Sequence, residues 1–425
     1  MKVLWFTNIP LPQMLGTNTQ SHERTGGWMV ALLEQLSQVA GMEVSVACAA
    51  PGLTKIKSKS IKNLQFWPLY QGPARRPFAF NNPDNDPRYL DACLEVIRTV
   101  QPDIIHVHGT ERFYGLIGAR NLSSIPVLIS LQGILREITR FQHYFGVTKL
   151  LDILAMHDLF HLARGIGPLP RFFQMRRSAK RELEIMRGNC WFMGRTLWDR
   201  AHLLAVNPAA RYFRVPELLR PTFYRNKWDI TESQQYRIIF TNADSPSRGV
   251  ETLIDAVAIL KRDFPAVCLA LAGGCEQLPY GKRIRRRIVR LGLQETVEIL
   301  GRLNEQQMAD ELRKAHVFVI ASLVENSPNS LCEAQLVGLP CVASYAGGIP
   351  SLVEEGQTGL LFPAGDAPVL AERIYEIFTN DSLACALGVQ ARKTALVRHD
   401  PETITRTVVE TYAAVIREAK ETVAC

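Results

Sequence analysis

Long apolar runs are missing from this chain. No stretch approaches the ~18 uninterrupted apolar residues of a membrane-spanning helix, and one of the strongest runs, His316 to Val324, reads as a buried strand. The amino terminus goes straight into a strand-like run and then Pro10 and Pro12, without the apolar core and small-residue cleavage site of a signal peptide. A cytoplasmic protein is therefore expected. Paired cysteine motifs are also missing: the nine cysteines include no C-x-x-C and none stands with histidine at zinc-ligand spacing, so they read as reduced, packed thiols. There is no G-x-x-x-x-G-K-[ST] loop, no G-x-S-x-G elbow and no G-x-G-x-x-G fingerprint, and no repeat or low-complexity tract.

What is present is ordinary globular material, 47% hydrophobic and 21% charged, which excludes disorder, collagen and coiled coil. A length of 425 residues suggests two domains, each able to bury its own core. The formal charge of +8 fits an anionic partner: a nucleotide, a nucleic acid or a lipid headgroup. Charge alone does not choose among them.

Strand-like and helical runs alternate almost throughout, the pattern of α/β folds with parallel sheets covered by helices. The predicted strands are Val3 to Thr7, Glu43 to Cys48, Asp103 to His108, Pro126 to Leu131 and Cys190 to Met193, with a helix from Gly27 through Leu36. A second series follows: Arg237 to Thr241, Val267 to Ala272, Val297 to Leu300, Val317 to Ala321 and Cys341 to Ser344. Between the series Pro221, Asn226, Trp228 and Asp229 break any period. Two doubly wound domains are expected, over 1–215 and 236–402, joined by a linker at 216–235, with a final helix at about 403–425 that can pack back on the first domain. Open parallel sheets bind ligands beyond the carboxyl ends of their strands, and two such edges facing one another would form a cleft.

The most informative stretch is Val324-Glu325-Asn326-Ser327-Pro328-Asn329-Ser330-Leu331-Cys332-Glu333. Ser327 followed by Pro328 reads as an N-cap and a first helical position. The amides of Asn329, Ser330 and Leu331 would then face the strand edge, where they suit a phosphate. Glu325 and Glu333 beside an anion site make sense if they meet hydroxyls, which points to sugar on both sides of the phosphates. Glutamate in a first helical turn is also favoured by the helix dipole alone. Downstream come Gly338-Leu339-Pro340, Gly347-Gly348-Ile349-Pro350, Thr358-Gly359 and Pro363-Ala364-Gly365-Asp366.

Taken together, Glu325 through Asp366 resembles the signature of the retaining nucleotide-sugar glycosyltransferases of family four, also called glycosyl transferases group 1, with E-x7-E, G-x-P, G-G-x-P, T-G and P-x-G-D in order. The resemblance implies the GT-B architecture of two facing Rossmann-like domains, the second binding the donor and the first the acceptor. It implies that Glu325 contacts the transferred sugar and Glu333 the ribose, with amides near Asn329 and Ser330 at the diphosphate. Arg248 matches the family's usual lysine at the diphosphate, and Asn242 stands where its arginine is expected. Arginine there can pair with phosphate through two parallel hydrogen bonds.

In the first domain, the resemblance carries His108, at the end of a strand, to the donor sugar, and Gly26-Gly27 to the glycine loop that approaches the donor phosphates. His106 reads as packing, and Gln132 replaces a histidine that many relatives carry. Asp84-Asn85-Asp86 fits a metal-holding D-x-D pattern but lies among prolines and reads as a solvated turn. The functional expectation is a metal-independent hexosyltransferase, without cofactor, that moves a sugar from a UDP- or GDP-sugar to a glycan or lipid-linked acceptor in cell-surface polysaccharide biosynthesis. The alternative is a GT-B protein that binds nucleotide sugar or glycan without turnover. Nucleic acid is not an expected partner. Six basic residues within 170–187, Arg176, Arg177, Lys180 and Arg181 among them, suit an anionic membrane surface and hence a peripheral location on its inner face.

Overall fold

A computed structural model describes residues 1–11, 27–51, 59–61, 64–71, 87–142, 168–243, 245–273 and 279–423. The chain divides into two compact units: Met1–Thr139, Asp158–Leu218 and the segment from Asp400 onward form one, and Leu219–His399 makes up most of the other. Each is a helix-covered sheet.

The first unit contains β1 (Lys2–Thr7), β2 (Glu43–Pro51), β3 (Lys59–Ile61), β4 (Leu64–Gln71), β5 (Ile104–His108), β6 (Val127–Ser130), β7 (Trp191–Gly194) and β8 (Arg211–Arg214). Their order across the sheet is β3-β4-β2-β1-β5-β6-β7-β8, parallel except for the antiparallel β3–β4 pair. The central strands are buried on both faces, which is why Val3-Leu4-Trp5-Phe6 and Ile104-Ile105 read as unbroken apolar runs. The helix Pro401–Val423 belongs to this unit. It buries Ile404, Val408, Tyr412 and Val415, a stripe at helical spacing, in the same core as Trp5 and Leu33.

The second unit contains β9 (Arg237–Thr241), β10 (Cys268–Ala272), β11 (Val297–Gly301), β12 (Val317–Ile320), β13 (Cys341–Tyr345) and β14 (Leu360–Pro363), in the order β11-β10-β9-β12-β13-β14 and all parallel. The helix Val250–Leu260 buries Val250, Leu253, Ile254 and Val257 against this sheet. Burying each such side chain stabilises by roughly 1.5–3 kcal/mol.

In both sheets the strand order reverses beside the first strand of the unit. β1 lies between β2 and β5, and β9 between β10 and β12. The crevice expected at such a reversal is therefore bordered by the loops after β1 and β5 in one unit, and after β9 and β12 in the other. The region at 216–235, expected as the linker, contains the boundary between the two units at Leu218 and Leu219 and is itself structured. Pro221–Arg225 forms a short helix and Ile230–Glu232 a turn of 3-10 helix, and both adjoin the second unit's core.

Candidate functional site

Two loops at the reversal point of the second sheet carry Arg248 and Glu325, and the fold brings them into direct contact. After β9 the chain turns through Asn242, which is exposed and left-handed at φ +62°, a conformation asparagine tolerates. The 3-10 turn Pro246–Arg248 follows and ends at Gly249, φ +72°, where any Cβ would collide with the Ala321 carbonyl. That close approach seats the turn on the loop after β12, and the Leu323 amide donates to the Ser247 carbonyl at 2.7 Å. The Arg248 guanidinium consequently meets Glu325 in an ion pair; the two side chains are 33% and 17% exposed. The other Glu325 oxygen accepts from the Asn326 amide at 3.1 Å.

The paired glycines downstream hold the backbone of Glu325. Gly347 lies at φ +53° with the Glu325 carbonyl where its Cβ would be, and the Gly348 amide donates to that carbonyl at 2.9 Å. The helix begins at Asn329, capped by the backbone of Pro328, rather than at Pro328 with Ser327 as cap. This moves the free amides by one residue: Leu331 already donates to the Pro328 carbonyl, leaving Asn329 and Ser330, both half-buried, ahead of the first intrahelical bond. The site thus offers an arginine, two helix-start amides and a carboxylate within one pair of loops.

Glu333 lies one turn after Asn329, on the same helix face. Its carboxylate is not open: Arg220 Nε donates to Oε1 and Arg220 Nη2 to Oε2, each at 2.9 Å. The Glu333 side chain is only 7% exposed, and burial pushes its carboxyl up while Arg220 opposes that shift. Arg220 was not singled out in the sequence, where it stands in the aperiodic stretch before Pro221. The remaining signature elements are structural: Asp366 accepts from the Val369 amide as the cap of the helix Ala367–Phe378, and Thr358 Oγ1 accepts from the Glu354 amide.

In the first unit His108 ends β5 at the expected edge, but it is enclosed. It is 2% exposed, its ring lies 4.4 Å from that of Trp5 and 5.5 Å from that of Trp28, and among the described residues neither ring nitrogen has a hydrogen-bond partner. Burial, then His106 and Arg195, holds it neutral, well below the usual histidine range. His106 bridges Tyr412 Oη and Ser130 Oγ at 2.7 Å each, and burial depresses it to about 3. Arg195, after β7, is buried; it pairs with Glu217, donates to Gln132 Oε1 at 2.9 Å and lies over the Trp28 ring. Gly27 is the first residue of the helix Gly27–Leu36; Gly26 and the segment 84–86 lie outside the described residues.

The basic segment forms the helix Pro168–Gly188, with Arg176, Arg177, Lys180 and Arg187 exposed. Arg181 departs from the expected surface patch. It is buried and donates to the Glu111 carbonyl, because residue 181 shares the inward face with Ser178 and Glu182. Among the described residues no helix is long and apolar enough to cross a membrane, and no group of three His, Cys, Asp or Glu side chains is placed to hold a metal ion.

Residues 223–394, nearly the whole second unit, match the model of the family described as Glycosyl transferases group 1. The chain is 29% identical over 209 residues to the amylovoran biosynthesis glycosyltransferase AmsK of Erwinia amylovora, covering 46% of this chain and 49% of that protein. It spans about half the length of the curated relatives it matches first. Among solved structures it superposes on a sucrose-phosphate synthase from Thermosynechococcus elongatus with a TM-score of 0.74 at 18% identity, over 98% of this chain and 99% of the other. HepE of Anabaena, solved in complex with UDP-glucose, matches with a TM-score of 0.68 at 18% identity, over 97% of this chain and 100% of the other. At such identities the likeness concerns the fold, which is that of the GT-B glycosyltransferases.

Proposed function

We propose that this chain, whose residues 223–394 belong to the glycosyl transferases group 1 family, moves a hexosyl group from a UDP- or GDP-sugar to a glycan or lipid-linked glycan acceptor in cell-surface polysaccharide assembly. Transfer retains the anomeric configuration and uses no metal ion. The observation that carries this reading is the contact between Arg248 and Glu325 beside the open amides of Asn329 and Ser330. Cleavage of a glycosyl phosphate leaves negative charge on the diphosphate while the sugar becomes oxocarbenium-like. Arg248 and the two amides are fixed donors for that charge, and such donors are the expected source of rate. Glu325 is placed to accept from hydroxyls of the departing sugar, and Glu333 from those of the ribose. Asn242 and Gly26-Gly27 are assigned to the donor phosphates, and His108 to the donor-sugar side of the first unit.

The amylovoran relative supports a polysaccharide product, and the UDP-glucose bound by HepE supports a uridine donor. Exposed Arg176, Arg177 and Lys180 suit an anionic membrane surface at the cytoplasmic face. Asn242, in place of the family's arginine, favours a second reading in which nucleotide sugar is bound without turnover.

Thermal shift with a panel of UDP- and GDP-sugars tests the donor. A ligand at 100 times its dissociation constant adds about 2.7 kcal/mol to stability. A cognate donor that stabilises the parent, and is slowly hydrolysed to nucleoside diphosphate and free sugar, with water as the acceptor, by the parent but not by Glu325→Ala, in excess chelator, is the expected result. No stabilisation by any member of the panel overturns the donor assignment; stabilisation without consumption selects the second reading. Activity that chelator abolishes and magnesium or manganese restores overturns metal independence.

A further inference from the structure

We propose that Arg220 is the positioning residue for ribose recognition, keeping Glu333 ionised and aimed so that its oxygens accept from the ribose hydroxyls. The inference rests on the assignment of Glu333 to ribose made above. Arg220 is fixed on several sides. Its fork meets both oxygens of Glu333 at 2.9 Å, and its guanidinium carbon lies 4.7 Å from the centre of the Phe223 ring. Its backbone caps the helix Pro221–Arg225, which is pinned in turn by the Thr222 amide donating to Glu305 Oε1 at 3.1 Å. Glu333 follows Asn329 by four residues, so its backbone stands ~6 Å along the helix from the helix start, with its side chain on the same face as that start.

The charge argument decides whether Arg220 stays when nucleotide arrives. Glu333 is nearly closed to water, and a buried carboxylate without a cation takes up a proton. Ribose hydroxyls are neutral and bring no compensating charge, so they complement Arg220 rather than replace it. A carboxylate has about four lone-pair positions. The guanidinium fork uses two, leaving each oxygen able to accept once more. Protonated Glu333 would instead present a donor on one oxygen and lose half of that acceptor set. Arg220 thus acts through Glu333, without touching the nucleotide.

Titration calorimetry with UDP and GDP, and with their 2′-deoxy counterparts, tests this on the full chain. The readout is the ratio of ribose to 2′-deoxyribose affinity, which a purely structural role for Arg220 would leave unchanged. For the nucleotide that binds, the parent is expected to favour ribose by about tenfold, the worth of one hydrogen bond to a charged acceptor. Glu333→Gln should bring the ratio near one, and Arg220→Met should do the same with Glu333 still in place. Arg220→Lys, which keeps the charge but loses the fork, is expected to fold and to show a ratio clearly below the parent's. The parent's ratio in Arg220→Met, or in Arg220→Lys should the methionine variant not fold, overturns the inference while leaving the ribose assignment standing. A parent without preference, or a Glu333→Gln variant that keeps it, overturns the ribose assignment itself.

Discussion

At the carboxyl edge of the first sheet charged and ionisable groups are buried, whereas at the second sheet's edge Arg248 and Glu325 stand partly in solvent. Arg195 and Glu217 are an enclosed ion pair with 7% and 5% side-chain exposure, and His106 and His108 are held neutral beside them. Arg248 and Glu325, 33% and 17% exposed, lie where a charged ligand can reach them. The same residue types therefore do different work: in the first unit they fix packing across β5, β6, β7 and the helix Pro401–Val423, and in the second they keep charge available. A half-exposed pair can exchange partners at small cost, which a binding site requires and a core does not.

Removing one acid from each pair tests that contrast, and gives the largest expected effect. Glu217→Gln leaves the buried Arg195 guanidinium with neutral acceptors, the new amide oxygen and Gln132 Oε1, in place of a counter-charge, and should lower stability by about 3–5 kcal/mol. Glu325→Gln frees a guanidinium that water can solvate, and should change stability by less than about 1 kcal/mol. Urea denaturation of both variants reads the difference; equal losses would mean that the second edge is as closed as the first. Function should divide the other way. Arg248→Ala is expected to weaken nucleoside diphosphate binding by roughly 10- to 100-fold, the worth of hydrogen bonds to a charged group. Glu325→Ala should bind the diphosphate as the parent does and turn over slowly. Parent-like binding by Arg248→Ala would move the anion site elsewhere.

Much of this contrast was hidden in the sequence, while its framework was legible. Val317–Ile320 is a fully buried parallel strand and so appears as an apolar run, and the Ser-Pro-Asn that follows marks a helix start to within one residue. The short edge strands were not visible: among the described residues Arg211-Tyr212-Phe213-Arg214 pairs only with β7, carries charge at both ends, and buries no residue fully. Asp366 illustrates a different difficulty, since a helix cap and a binding carboxylate look alike until the helix it caps is seen. Arg220 and Glu333 are 113 positions apart, and their pairing exists only because the helices Pro221–Arg225 and Asn329–Val337 adjoin. His108 showed its place at a strand end, but its enclosure comes from Trp5, about one hundred residues away, and Trp28, about eighty residues away. Local pattern locates loops and strand ends; how far a charge is shielded depends on distant partners.

The smallest expected effect concerns pH, and it isolates the enclosure of His108. Both histidines of β5 have folded values depressed below 6.5, so the stability they contribute is fully present above pH 6.5 and is lost as pH falls toward their folded values. Each loss runs at about 1.4 kcal/mol per pH unit, because the unfolded chain binds a proton that the folded chain refuses. Two carboxyls of the same unit, buried Glu182 and half-buried Glu111, act in the opposite sense. Burial raises Glu182 to about 7 and also raises Glu111, so their contribution is full below the ordinary value of 4.5 and is lost as pH rises through the folded one. Between 4.5 and 6.5 the carboxyls oppose the histidines, so the parent's stability should fall less steeply on acidification than the histidines alone would dictate. His108→Asn removes one of the opposing protons. Whatever its offset at pH 7, the variant's stability relative to the parent should improve by about 1.4 kcal/mol for each unit of acidification from 6.5 to 5. Urea midpoints at pH 7, 6 and 5 supply the comparison. A difference that stays constant across that range would mean that folded His108 takes up protons as readily as the unfolded chain does, and the first edge would then be as open to solvent charge as the second.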